Sequence, residues 1–331
     1  MILYKKIKKK SWSIIVSRLS KKQFYPKIYK SYWYLHFNKT KKDKLTKNYY
    51  AAIPNPGAGI GHQMANWIAG YWFAKKFELD FAHIPFSSKK WESFLGFGAN
   101  EIKVSELVNN QGYKKIKLPL FDENNPQAIE LTKKIIEAYN DKKVVFIAEQ
   151  DQFYKGQIGV IKDLKPKFHN AEARKTRQLV YNQDNFNIAI HVRRGDITIG
   201  QESKNTNLLM RWQDNDYFKN VLLSVTNTIK TQKPIAIYFF SQGNKKDFQE
   251  FNEFKNLTFC LDMNAQDSFE HMAYADLLIT SKSSFSYKPA LLSNGIKVCP
   301  KNFWHDYPKS NDWILVDDNG VFDINKLLFI N

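Results

Sequence analysis

The sequence predicts an α/β fold built from two Rossmann-like domains, and three observations carry that prediction. Short apolar runs such as Val144–Ala148, Ile235–Phe240 and Leu277–Ile279 alternate with amphipathic stretches of helical length, the pattern of parallel strands covered on both faces. The alternation comes in two series, parted by a basic stretch near residues 170–181. A chain of 331 residues is also long enough for two domains of about 150 residues each.

The first series opens with a short strand at 51–53, followed by the loop Pro54-Asn55-Pro56-Gly57-Ala58-Gly59-Ile60-Gly61. A helix is expected over 62–77, with Met64, Trp67, Ile68, Tyr71, Trp72 and Ala74 available to the core. Strand, glycine loop and helix start in that order make a β-loop-α unit. A strand at 81–84, a helix at 129–139 and a buried strand at 144–148 follow. The basic stretch at 170–181 reads as a helical connector. The second series then runs strand 187–192, helix 216–231, strand 235–240, helix 245–254 and strand 257–261. It closes with helix 268–275, strand 277–279, helix 285–292 and strand 296–299. The expected organisation is an arm at 1–50 and domains at 51–180 and 181–331.

Composition narrows the function classes. With 43% hydrophobic and 25% charged residues the chain is not of the disordered kind. Cys260 and Cys299 are too few for a disulfide framework or a zinc site and fit a reducing compartment. No apolar run has the length of a transmembrane helix or a secretory core. The net charge of +18 is concentrated: residues 1–50 hold 14 lysines and Arg18 against the single acid Asp43, or +14, leaving +4 for the other 281 residues.

That arm is also rich in aromatics, and Trp12, Ile15, Val16 and Leu19 recur at helical spacing. A basic helix with tryptophan on its apolar face suits an anionic membrane surface through residues 1–48. A solvated arm, or a helix packed on its own body, has the same pattern. Nucleic acid is not an expected partner, because the body has no RNP, helix-turn-helix or zinc pattern.

The strongest chemical feature is Ile190-His191-Val192-Arg193-Arg194-Gly195-Asp196. It leaves the carboxyl end of a predicted strand, where open α/β sheets bind ligands. Adjacent guanidinium groups suit a diphosphate, Gly195 lets the chain turn, and Asp196 can hold an arginine. A surface ion cluster is the plainer alternative. The second feature is the strand at 277–279 running into Thr280-Ser281-Lys282-Ser283-Ser284 at a helix start, an anion cup or a simple cap. Asp267 reads as an N-cap or as an acceptor for a purine edge. The third is Gly57-Ala58-Gly59-Ile60-Gly61-His62-Gln63, whose spacing is neither a Walker loop nor a dinucleotide fingerprint.

His191-Val192-Arg193-Arg194-Gly195-Asp196 resembles the His-x-Arg-Arg-Gly-Asp motif of the α1,2-/α1,6-/protein O-fucosyltransferase superfamily. Further segments are similar to the bacterial α1,2-fucosyltransferases of glycosyltransferase family 11. They are Gly59-Ile60-Gly61-His62-Gln63-Met64, Glu149-Gln150-Asp151-Gln152-Phe153-Tyr154, Phe240-Ser241-Gln242 and Ser283-Ser284-Phe285-Ser286-Tyr287. The resemblance covers about residues 51–300. His62 stands where that family has Asn, and Tyr287-Lys288 replaces Trp-Trp.

The resemblance implies a GT-B-like fold and an inverting transfer of fucose from GDP-fucose to a sugar hydroxyl, without metal or other cofactor. It implies an acceptor-side domain at 51–180 and a nucleotide-sugar domain at 181–331, facing across a cleft. Arg193 and His191 would be catalytic, with Arg193 on the β-phosphate and Arg194 beside it. Ser283 and Ser284 would bind phosphate and Asp267 would face guanine. Gly59, Gly61, His62 and Gln63 would approach the donor from the other domain. The general base is open among Asp151, Glu149, His62, Asp196 and Glu202. The expected setting is a bacterial surface glycan such as an O-antigen or capsule unit, assembled at the cytoplasmic membrane face. Another nucleotide sugar on the same fold, or a non-catalytic nucleotide- or glycan-binding protein, are the competing readings.

Overall fold

Parallel strand pairing organises both halves of the chain. The computed structural model describes residues 2–20, 22–40, 42–148, 157–176, 178–198 and 206–328. They divide into two units: residues 1–58, 63–89 and 98–154 form the first, and 59–62, 90–97 and 155–331 the second.

The first unit holds a four-stranded sheet of β1 (Tyr49–Ala51), β2 (Asp80–Phe81), β3 (Lys114–Leu118) and β4 (Val144–Ala148). Its order is β2-β1-β4-β3 with every pair parallel. The central strands β1 and β4 are buried almost throughout, as their unbroken apolar sequence requires. At the sheet edge β3 shows Lys114, Lys115 and Lys117 to solvent, charges that discourage pairing with another chain. The first strand lies two residues earlier than the 51–53 expected: Tyr49 pairs with Val145, whereas Ile53 is already past the sheet and exposed.

The long helix Ile60–Lys76 buries Met64, Trp67, Ile68 and Phe73. Each such side chain contributes about 1.5–3 kcal/mol of transfer free energy. The Trp67 indole N–H donates to His83 Nδ1 at 2.9 Å, so the polar end of the buried ring is satisfied.

The arm is folded against this unit. Helix α1 (Ile2–Leu19) is followed by a 3-10 turn at Tyr25–Ile28 and helix α2 (Lys30–Phe37). Val16, Tyr25 and Tyr29 are buried together, with Trp12, Leu19, Tyr32 and Leu120 packed around them. Tyr34 stacks on Tyr139 at 3.9 Å, and Lys42 pairs with Asp141 at 3.0 Å. Most of the stripe expected to face a membrane is therefore used internally, with Ile15 left exposed.

The second unit holds a six-stranded parallel sheet: β5 (Phe186–His191), β6 (Ile235–Ser241), β7 (Leu257–Leu261), β8 (Leu277–Ile279), β9 (Ile296–Pro300) and β10 (Trp313–Val316). Its order, β10-β9-β8-β5-β6-β7, is the doubly wound arrangement of a Rossmann domain. From β5 the chain winds outward through β6 to β7, then returns to lay β8 beside β5 and winds the other way. One face is covered by Phe218, Val221, Leu222, Phe248 and Phe251, the other by Met272, Tyr287, Ala290 and Leu291. Two Rossmann-like α/β units are thus present, as the sequence predicts.

Two expectations change. The stretch 170–181 is not a helix: the helix is Ile161–His169, and a 3-10 turn at Glu172–Thr176 follows. Arg174 in that turn is buried against Glu270 at 2.5 Å, with its guanidinium over Phe94 and Phe168, so the basic run is held by specific partners. His169 bonds the Tyr274 hydroxyl and the Leu292 carbonyl, and Lys165 bonds the Ser293 carbonyl, contacts within the second unit. The segment 245–254 is a 3-10 run, Lys245–Phe251, broken at Phe248, where φ is −133°.

Candidate functional site

The doubly wound order creates a crevice at the carboxyl ends of β5 and β8, where the crossovers diverge. β5 ends on His191 and runs into Val192-Arg193-Arg194-Gly195; β8 ends on Ile279 and runs into Thr280-Ser281-Lys282-Ser283. Both motifs therefore meet at one sheet edge. His191 Nδ1 lies 2.8 Å from Ser281 Oγ, and Arg193 Nη1 donates to Ser283 Oγ at 3.4 Å.

Ser283 is the N-cap of the helix Ser284–Leu292, accepting from the Phe285 amide at 3.2 Å. The loop before it is pinned by the Lys282 amide donating to Gln213 Oε1 at 2.7 Å. A fixed N-cap serine, a helix start and an arginine together form an electropositive cup.

Burial sets the charge of this cup. His191 is pushed down to about 3, first by burial and then by the Arg193 and Arg194 charges, so its imidazole is neutral near pH 7. As a neutral ring it can donate one N–H to an anion. Arg193 is held by Asp196 at 2.8 Å, a pair whose carboxylate is well exposed and which contributes at most about 1 kcal/mol. Gly195, at φ +71°, makes the turn that aims Arg193; a Cβ there would lie 2.2 Å from Gln242 Oε1.

The two adjacent arginines separate. Arg194 turns into the protein, donating to Asn215 Oδ1 at 2.6 Å and to the Arg193 carbonyl, with its guanidinium 4.2 Å over the Trp212 ring. Burial lowers its pKa to about 10, opposed by Asp214, Glu250 and Asp247. It is a loop anchor here, not the second prong of a diphosphate grip.

Two further groups belong to the site and were not legible as such. Arg211 is lowered by burial and by the positive charge of Arg193, and its buried Nε has no hydrogen-bond partner among the described residues. Two guanidinium groups that repel each other, one with an unsatisfied N–H, make a place an anion would stabilise. His305 bonds Ser284 Oγ at 3.1 Å and stacks on Tyr287 at 4.3 Å. Burial, with Lys288 and His62, pushes His305 down to about 2. Both lie outside any short motif, 18 residues after Arg193 and 21 after Ser284, so only folding reveals them.

The glycine loop has a packing part of its own. Gly61 counts with the second unit, and a Cβ on it would come within 2.8 Å of the Ser284 backbone. Its lack of a side chain permits helix packing. Gln63 uses its amide within the first unit, donating to the Ala58 carbonyl and pairing with Ser87. Gly59 has open space around it, and His62 is half-buried near His305. Asp267 is not an N-cap: Asn264 caps the helix Ala265–Tyr274, and Asp267 is an exposed first-turn residue bonded to the Asn264 amide. Glu149, Asp151 and Glu202 lie outside the described residues. Among the described residues, no group of three or more His, Cys, Asp or Glu is placed to hold a metal ion, and no helix is long and apolar enough to cross a membrane.

No protein-family model and no curated protein sequence matches the chain. Solved structures do. The chain is similar to POFUT1 in complex with GDP-fucose, at 11% identity and TM-score 0.47 over 83% of this chain and 99% of that one. It is also similar to the fucosyltransferase NodZ from Bradyrhizobium, at 11% identity and TM-score 0.39 over 75% and 94%. A third likeness is to a variant of Arabidopsis thaliana FUT1 in complex with GDP, at 13% identity and TM-score 0.38 over 88% and 80%. At this level of likeness the chain's own residues must decide its function.

Proposed function

We propose that the protein is a GDP-fucose-dependent, inverting glycosyltransferase acting on a sugar hydroxyl. The observation that carries this reading is the meeting of Arg193, His191 and Ser283 at the carboxyl edge of β5 and β8. The diphosphate would lie against Arg193, Arg211 and the Ser283 helix start, with neutral His191 donating to it. As the glycosidic bond breaks, negative charge grows on the departing GDP. Fixed cationic and N–H donors lower that barrier without reorganising. Asp267, on the same edge beyond β7, would accept from guanine.

Fucose as the transferred sugar rests on the His-x-Arg-Arg-Gly-Asp and Ser-Ser-Phe-Ser resemblances. The α1,2 linkage and a bacterial surface glycan as acceptor rest on the similarity to family 11. The arm supports a station on the inner face of the cytoplasmic membrane. Of the seventeen large apolar residues exposed among the described ones, ten lie within residues 1–48, among lysines.

A donor screen that reads liberated nucleotide tests the proposal. GDP release from GDP-fucose, stimulated by a glycan acceptor, is the expected result. Release of UDP from a UDP-sugar would establish the other donor, and release of neither would establish a non-catalytic binder.

A further inference from the structure

The hydroxyl of Ser281 is not spent on capping the helix that follows it. Ser283 is the N-cap of Ser284–Leu292, and Ser281 lies two residues earlier, buried to 2% exposure just past the end of β8. β8 runs parallel to β5 with Ile279 beside Ile190, so Ser281 and His191 leave the sheet edge together. Ser281 Oγ stands 2.8 Å from His191 Nδ1.

His191 is itself buried, with its ring tilted against Phe285 at 5.6 Å. Burial and the Arg193 and Arg194 charges keep it neutral near pH 7, so it carries a single ring proton. On Nε2 that proton makes a donor for an anion. On Nδ1 it would leave Nε2 as a bare lone pair, which an anion avoids.

The neighbouring hydroxyl protons decide between the two. Ser286, wholly buried, accepts from the Ser281 amide at 3.3 Å and directs its own proton to the Ser283 and Ser281 carbonyls, at 3.3 and 3.4 Å. Carbonyl oxygens only accept, so the single Ser286 proton is used there. The Ser281 proton then has two acceptors among the described side chains: His191 Nδ1 at 2.8 Å and Ser286 Oγ at 3.4 Å. Hydroxyl hydrogen bonds to oxygen lie at roughly 2.5–3.0 Å, which the longer contact exceeds. Were Nδ1–H the donor to Ser281, the buried hydroxyl proton would keep only that long contact, a costly arrangement.

We propose that Ser281 is a positioning residue that holds His191 in the tautomer protonated on Nε2, and so makes it a donor to an anion at the β5/β8 edge. A hydrogen bond to one ring nitrogen fixes the proton on the other, as it does in metal-bound histidines. That the anion is the diphosphate of GDP rests on the function proposed above; the tautomer follows from the protein's own hydrogen bonds.

Full-length protein with isotope-labelled histidine tests this at about pH 7. Long-range proton–nitrogen correlation spectra tell the two tautomers apart, and the His191 signals are those lost in His191→Gln. The wild type should show the Nε2–H form. Ser281→Ala should mix in the Nδ1–H form and bind GDP at least about tenfold more weakly by calorimetry, with unchanged circular dichroism. If the wild type binds no GDP, the donor reading fails, and the ring spectra of the two proteins still decide the proposal. An Nδ1–H ring in the wild type, an unchanged ring spectrum in Ser281→Ala, or wild-type GDP affinity in that variant would each overturn it.

Discussion

The two sheets are built alike and furnished differently. Each is parallel, and each ends its central strands at an edge where ligands bind in such folds. At the second sheet the polar groups are buried and tied: His191 to Ser281, Arg193 to Asp196 and Ser283, Arg194 to Asn215. At the first sheet Lys114, Lys115 and Lys117 stand exposed on β3, and the arm packs an aromatic cluster of its own against the same unit. Tied groups hold a fixed geometry, which is what stabilising a transition state needs. Solvated lysines on flexible stems hold no single geometry. The backbone topology is common to both; the side-chain ties set the two edges apart.

The largest expected effect breaks the tied edge. Arg193→Ala should lower turnover of GDP-fucose by about 10²–10³-fold with unchanged circular dichroism. Turnover within a few-fold of wild type would remove the cup from the reaction.

Next comes Gly195→Val, which forces a branched side chain into a positive-φ turn already filled by Gln242. Thermal or urea unfolding should show a loss of about 1–3 kcal/mol. An unchanged midpoint would show that the turn is not fixed.

The pH dependence sharpens the contrast between buried and solvated groups. His191 is depressed to about 3 and His305 to about 2, against an ordinary value of 6.5. Below that ordinary value the unfolded chain takes up protons that the native chain refuses. Stability is therefore full above pH about 6.5 and falls steadily toward acid. Melting scans from pH about 7 to about 4 should show the decline, and His191→Gln should flatten it. A slope unchanged in that variant would mean the decline comes from other groups.

The smallest effect on stability belongs to the arm. Ile7→Ser with Ile14→Ser alters residues 57% and 45% exposed and should shift stability by no more than about 0.5 kcal/mol. Sedimentation with anionic vesicles should nonetheless fall. Undiminished sedimentation would show that the arm's exposed apolar residues do not touch the membrane.

Much of this was readable before folding. The strands 144–148 and 277–279 fall where their apolar runs place them, because a strand buried on both faces has no polar residue to blur its ends. Both halves of the cup were legible for a related reason: each follows such a strand directly. What failed to show were facts of tertiary partnership. Nothing local says that Arg194 will find Trp212 while Arg193 stays at the edge, or that Gly61 makes room for Ser284. Arg211 and His305 carry no motif. The apolar stripe of α1 was visible, but a membrane and the body's own Tyr25 and Tyr29 ask for the same stripe.

The measurement that bears most directly on the tied edge is calorimetric titration of GDP and UDP into the wild-type protein, Arg193→Ala and Arg194→Ala. GDP should bind wild type more tightly than UDP, and Arg193→Ala should lose at least about tenfold in GDP affinity, more than Arg194→Ala loses. Equal GDP affinity in wild type and Arg193→Ala, or a larger loss in Arg194→Ala, would contradict the assignment of the cup to a diphosphate.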